Sequence, residues 1–207
     1  MIQALELIPE SEFSEIFKYL QKKPIEINKY RPNVGLGRSQ CFGIVGRRCL
    51  PPDISRQSWR HPYFHKLLMD FAVKHVPIEF TSIQVNENLA CAEHLDKGNI
   101  GQSFIVAFGD YEGGSLSVEG YSHNIRYRGL LFDGSKQKHK TEPFRGTRYS
   151  LVYHTLAPQL RWGNRVPSLS DYNAVEHEGK WKIKTKDDQY LYGSHGLDHP
   201  LKHRVKS

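Results

Sequence analysis

The sequence predicts a mainly β fold with flanking helices, of the sandwich or jelly-roll kind. Three observations carry this. From about residue 80 the chain breaks into short β-branched and aromatic runs, SFIVAFGDY, SLSVEG, NIRYRGLLFDG and RYSLVYHTL, separated by Gly, Asp or Asn. Just before them, IEFTSIQVNENL alternates apolar with polar residues, as a half-buried strand does. Ahead of these stand two segments of helical periodicity, which would cover one outer face.

The first of these is 10–23, ESEFSEIFKYLQKK, with Phe13, Ile16, Phe17 and Leu20 at i, i+3, i+4 and i+7. Acids crowd its first turn and lysines its last, as the helix dipole prefers, and Pro24 ends it. Residues 31–53 are rich in Gly, Pro and Arg, with CFGIV as a candidate strand. A second helix is predicted from about Ser58 to His75 on the stripe Phe64, Leu67, Leu68, Phe71 and Ala72. Pro62 falls in its first turn, where the missing N–H costs nothing. After Ala157 the pattern weakens. VEHEGKWKIKTKDDQYLYGS reads as a hairpin or a short helix, and GLDHPLKHRVKS as a mobile basic tail.

A length of 207 residues fits one domain. Its expected parts are a helical and Arg-rich segment 1–79, a β core 80–156 and an extension 157–207. With 25% charged and 38% hydrophobic residues, the chain has neither the composition of disorder nor an apolar run long enough to span a bilayer. Early acids in MIQALELIPESEF and three cysteines (Cys41, Cys49, Cys91) without a CxxC pair point to a cytoplasmic or nuclear protein with reduced thiols. No membrane and no obligate protein partner is inferred. The formal charge of +7 favours a polyanion. Arg31, Arg38, Arg47, Arg48, Arg56 and Arg60 stand among a single acid, Asp53, and no lysine, a composition suited to phosphate contact or to a solvated basic face.

The stretch EHLDKGN carries the chemistry. His94 and Asp96, two apart on a strand, share a face and can offer an imidazole nitrogen and a carboxylate oxygen to one ion. A second histidine from elsewhere would complete the two-histidine, one-carboxylate arrangement that suits non-haem Fe(II) with open positions. Cys91 and His94 also form a CxxH, but a zinc site would need two more ligands. HxD alone is common, and a surface turn explains it equally well. Its weight comes from FDGSKQKHKTEPFRGTRYSLVYHT, residues 132–155. There His139 lies just past a strand and turn, and nine residues on Arg148 opens the most apolar strand of this half. An arginine at the mouth of a buried strand wants an anion, and its fork matches a carboxylate.

This ordered set resembles the Fe(II)/2-oxoglutarate-dependent dioxygenases over roughly residues 80–156, and GDYEGGSL after the HxD strand is also typical of them. The resemblance implies a double-stranded β-helix, a distorted jelly roll of cupin-like form. It implies iron held by His94, Asp96 and His139, and the distal carboxylate of 2-oxoglutarate held by Arg148 with help from Ser150 on the same strand face. Arg145 competes for that role but sits before Gly146. The co-substrates would be 2-oxoglutarate and O2, and the products succinate, CO2 and a hydroxylated substrate.

Within the superfamily the chain looks closest to the TET/JBP-like oxygenases of 5-methylpyrimidines, which include small phage and viral members. Asn99 stands three after Asp96, where TET-type enzymes hydrogen-bond an extruded cytosine, although Lys97-Gly98-Asn99 is also an ordinary turn. His154 stands six after Arg148, where they carry a stacking aromatic, usually tyrosine. The cysteine-rich zinc module of the large animal enzymes is missing. The substrate expected on this likeness is methylated DNA, with 5-methylcytosine first. Phosphate contacts would come from the 31–60 arginines and from Lys136, Lys138 and Lys140. Hydroxylation of a protein side chain or a small metabolite stays open as the alternative. A non-catalytic module is disfavoured by the intact ligand set.

Overall fold

The structure, a computed structural model, describes residues 2–25, 35–47, 50–158 and 166–191. Arg31, Arg48, Cys49 and the basic tail lie outside them. The chain opens with β1 (Gln3–Leu7), a 3-10 turn (Glu10–Phe13) and α1 (Ser14–Lys22). Then come β2 (Gly35–Val45), β3 (Asp53–Ile54), α2 (Arg56–Arg60) and α3 (Pro62–His75). The β core comprises β4 (Ser82–Cys91), β5 (Asn99–Phe108), β6 (Tyr111–Gly113), β7 (Leu116–Val118), β8 (Tyr121–His123), β9 (Arg128–Phe132), β10 (His139–Thr141), β11 (Phe144–Gly146) and β12 (Tyr149–Leu156). A meander of β13 (Tyr172–His177), β14 (Lys180–Thr185) and β15 (Tyr190–Leu191) follows, so the hairpin expectation for this segment holds and the helix one does not.

The large sheet has seven antiparallel strands in the order β1-β9-β5-β12-β4-β2-β3. Smaller sheets β10-β7-β8 and β11-β6 lie over one of its faces, closing the jelly roll that the short-strand pattern predicts. The second half of β5, Phe104–Phe108, shows why its sequence is apolar without alternation. Phe104, Val106 and Phe108 point to the helices, while Ile105 and Ala107 point between the sheets. Both faces are buried over these five residues, so none of them is polar. On the helix side, Phe13, Ile16 and Leu20 meet Phe64, Leu68 and Phe71 across the sheet residues Phe42, Ile83, Leu151 and Tyr153. α2 and the C-terminal meander share a third cluster around Ile44, Trp59 and Ile183.

The single helix expected over 58–75 is two. His61, at φ −128° and ψ 57°, breaks it, because the residue before a proline is kept out of the helical region. Pro62 then begins α3, and the Ser55 hydroxyl caps α2 by accepting from the Ser58 N–H at 3.2 Å. Among the described residues, no helix is long and apolar enough to cross a membrane.

His65, inside α3, is fully buried and neither ring nitrogen has a hydrogen-bond partner. Burial pulls its pKa down to about 4, so it folds neutral. The unfolded chain takes up a proton near pH 6.5 and the folded one does not. Stability is therefore complete above pH 6.5 and falls as the pH drops towards 4, by up to about 3 kcal/mol. Urea unfolding at pH 7 and pH 4.5 should show this loss, and His65→Leu should make it smaller than in wild type.

Candidate metal and 2-oxo acid site

β4 delivers the HxD pair, but not as strand residues. His94 forms an isolated antiparallel bridge with His139, and Asp96 lies in the turn that follows. The strand expected at this point ends at Cys91. Two backbone hydrogen bonds make the bridge, His94 N–H to His139 C=O at 3.0 Å and His139 N–H to His94 C=O at 3.1 Å. Asp96 is fixed by its own N–H donating to Gly134 C=O at 2.8 Å. A side chain at Gly134 would come within 3.1 Å of an Asp96 carboxylate oxygen, so glycine leaves that carboxylate its room.

The three side chains meet. His94 Nε2 is 3.6 Å from Asp96 Oδ1, His139 Nε2 is 3.5 Å from Asp96 Oδ2, and all the ligand atoms lie within 4.8 Å of one another. Each histidine Nδ1 faces a backbone carbonyl, His94 that of Ala92 at 2.7 Å and His139 that of Gln137 at 3.0 Å. A carbonyl only accepts, so both Nδ1 atoms donate and both Nε2 lone pairs turn towards Asp96. Acceptors then face acceptors, and a cation between them satisfies all three. The donor set and its locked tautomers fit a divalent metal. Without an ion, burial pushes the Asp96 carboxyl up, and only a proton taken up between it and the Nε2 atoms lets His139 and His94 outweigh burial and hold it well below the usual carboxylate range. Cys91 lines the same cavity and is not part of this cluster.

Arg148, immediately before β12, is 2% exposed. Its Nε donates to Gly114 C=O at 3.1 Å, and its guanidinium lies 5.6 Å from the ring centres of both Tyr111 and Phe144. One terminal nitrogen has no hydrogen-bond partner, and among the described residues no carboxylate pairs with it. Burial pulls its pKa down while Tyr111 opposes this. A buried cation with an orphaned donor beside a metal cluster fits a bound carboxylate. Ser150, next on the same face, accepts from Asn86 Nδ2 at 3.1 Å, which leaves its own hydroxyl proton for another acceptor. Asn86 accepts in turn from Ser39 at 2.6 Å, and Gln84 donates to Ser39. This polar row was not singled out in the sequence. Its signal is the polar half of the alternation in SIQVNENL.

Asn99 and His154 both line the cavity. Asn99 also closes the turn, its N–H donating to Asp96 C=O at 2.9 Å, so turn and cavity positions coincide. Arg145 is exposed on β11 and does not line the cavity. Nor do the described arginines of the 31–60 block. Arg38 bonds Ile25 C=O, Arg47 bonds Pro51 C=O and pairs with Asp53 at 3.4 Å, and Arg56 and Arg60 are exposed on α2. Lys136 pairs with Asp133 at 3.4 Å and Lys138 with Glu93 at 3.7 Å, while Lys140 lines the cavity.

No family model matches the chain, and no curated protein does. Solved structures do. A protein from Burkholderia pseudomallei, described as an oxidoreductase of the 2OG-Fe(II) oxygenase family, aligns with a TM-score of 0.53 at 17% identity, over 74% of this chain and 84% of that one. The fold is that of the 2-oxoglutarate–Fe(II) oxygenases. NgTET1, whose structure is a complex with 5mC DNA, shares this double-stranded β-helix with a TM-score of 0.54 at 16% identity, over 75% of this chain and 72% of that one. OsALKBH1 shares it with a TM-score of 0.50 at 14% identity, over 74% and 97%.

Purified protein should bind one Mn(II) ion, a redox-quiet stand-in for iron, and gain thermal stability from it. Asp96→Ala should weaken that binding by more than about a hundredfold, beyond the cost of losing an outer partner. Wild-type binding should weaken in acid, as the ligand nitrogens must be unprotonated to coordinate. Calorimetric titration checks the binding and thermal melting the stability.

Proposed function

We propose that the whole chain is one Fe(II)- and 2-oxoglutarate-dependent dioxygenase domain, and that it oxidises the 5-methyl group of a pyrimidine in DNA, 5-methylcytosine first. The observation that carries the enzymatic reading is the meeting of His94, Asp96 and His139 in one cavity with a buried Arg148 that keeps an unpaired donor. His94, Asp96 and His139 hold the metal, and Arg148 with Ser150 holds the distal carboxylate of the oxo acid. Bound iron and 2-oxoglutarate supply the oxidation, in which O2 and the oxo acid give succinate and CO2 while a substrate C–H becomes C–OH.

The chain's own work is placement and exclusion of water. Ile105, Leu116, Phe132 and Val152 wall the cavity with apolar surface. Asn99 offers hydrogen bonds to the edge of an extruded base, and His154 offers a ring to stack on it. Support for DNA comes from these two positions and from the shared fold of NgTET1, crystallised with 5mC DNA. Lys140 is the lysine of the 136–140 segment that borders the cavity, and it can meet a flanking phosphate.

One observation favours hydroxylation of a polypeptide instead. A neighbouring groove shares Lys140 and Thr141 with the cavity, and Glu93 and Glu142 also line it. Those carboxylates suit a cationic side chain better than a phosphate chain.

The test is succinate release with Fe(II), ascorbate and 2-oxoglutarate. Methylated DNA should stimulate it, with a matching mass increase of 5-methylcytosine, and the stimulation should fall steeply with salt. Stimulation by a peptide or a free metabolite, with none from methylated DNA, would move the substrate to the alternative class. His94→Ala with full turnover would remove the metal reading.

A further inference from the structure

β4 changes which of its residues face the cavity part-way along. Gln84 and Asn86 line the cavity, and so do Leu89 and Cys91. Strict alternation cannot place both pairs on one face. One extra residue must lie between them, and the backbone shows where. Asn88 adopts φ 51°, a left-handed conformation that few side chains tolerate and asparagine tolerates best. The facing strand accommodates this bulge. The β2–β4 register shifts between Leu36 and Arg38, and Gly37 sits at φ 130° against Asn88. A Cβ at Gly37 would lie 2.5 Å from the Asn88 carbonyl oxygen. Glycine is therefore required opposite the bulge.

The extra residue is tied to Arg148. Asn88 N–H donates to Arg148 C=O at 2.7 Å, and Asn88 Oδ1 accepts from Arg148 N–H at 2.8 Å. Both backbone polar groups of the buried arginine thus end on one residue of the neighbouring strand. The regular β4–β12 ladder stops just short of this point, at Tyr149 opposite Glu87. The Asn88 side chain replaces the ladder bond that the bulge removes.

We propose that Asn88 is a positioning residue, one that seats Arg148 so that its unpaired guanidinium nitrogen meets the 2-oxo acid. It does so by a two-point hold on the Arg148 backbone, while its left-handed turn rotates the end of β4 towards the cavity. The proposal rests on the reading of Arg148 as the carboxylate clamp. Asn88 touches neither metal nor oxo acid, so its effect belongs on oxo acid affinity and not on metal affinity.

Three variants separate the backbone conformation from the side-chain bond. Asn88→Gly keeps the left-handed turn and loses the acceptor. Asn88→Asp keeps both. Arg148→Met removes the clamp itself. Binding of 2-oxoglutarate to the Mn(II)-loaded protein is measured by calorimetry, with Mn(II) affinity titrated separately and thermal melting as the check on folding. Asn88→Gly should bind 2-oxoglutarate about tenfold more weakly, because loss of one of the two points holding its backbone lets the arginine shift. Its Mn(II) affinity should stay within about twofold of wild type, and Asn88→Asp should restore 2-oxoglutarate binding to that range. Asn88→Gly with unchanged 2-oxoglutarate affinity, or with metal and oxo acid affinity lost together, overturns the positioning role alone. Wild-type protein that binds no 2-oxoglutarate, or Arg148→Met that binds it as wild type does, overturns the clamp reading and the positioning role with it.

Discussion

Two backbone hydrogen bonds between His94 and His139 hold together segments that are far apart in the chain, and the chemistry of the cavity depends on them. They bring the imidazole ring centres to 4.3 Å. The carbonyls of Ala92 and Gln137 then fix both rings in the tautomer whose lone pairs converge on Asp96. No part of this arrangement is comfortable without a cation. Electrostatic tension of this kind is tolerable in a small region only when the surroundings are rigid.

The rigidity comes from a division of labour within the large sheet. Its helix-facing side is apolar, with Leu151 and Tyr153 of β12 packed under α1 and α3. Its other side carries Arg148, Ser150, Val152 and His154 into the cavity. One strand thus anchors the core with every second residue and presents functional groups with the rest. Burial of Arg148 is tolerated because Tyr111 and Phe144 cover its guanidinium and Gly114 accepts from its Nε.

Much of this was legible in the sequence, and the parts that were not have physical reasons. The periodicity of Phe13, Ile16, Phe17 and Leu20 and the short β-branched runs report burial directly, so helices and strands could be read from them. The break at His61 was readable from Pro62, but a strong apolar stripe on both sides hid it. The HxD pair was expected on a strand and lies on a bridge and a turn, because the His94–His139 contact is long-range and leaves no local pattern. Asn88 and the Ser39–Asn86–Ser150 row were missed for the same reason. A bulge and a cross-strand hydrogen bond are set by the partner strand, which one segment of sequence does not reveal. The arginine-rich block divides. Its composition suited phosphate contact or a solvated basic face; Arg38 and Arg47 bond backbone carbonyls and Asp53, while Arg56 and Arg60 are exposed on α2.

The locked imidazoles carry a consequence for ion supply. Two neutral nitrogens and one carboxylate, held by backbone bonds and not by the ion, offer little basis for choosing among first-row divalent cations. Zinc or cobalt would seat as readily as iron, and a zinc-filled copy would keep its shape and lose its redox chemistry. The fraction of copies holding iron would then depend on the supply of those ions, weighted by their affinities, as each chain folds, a variable set by the surroundings and not by the fold.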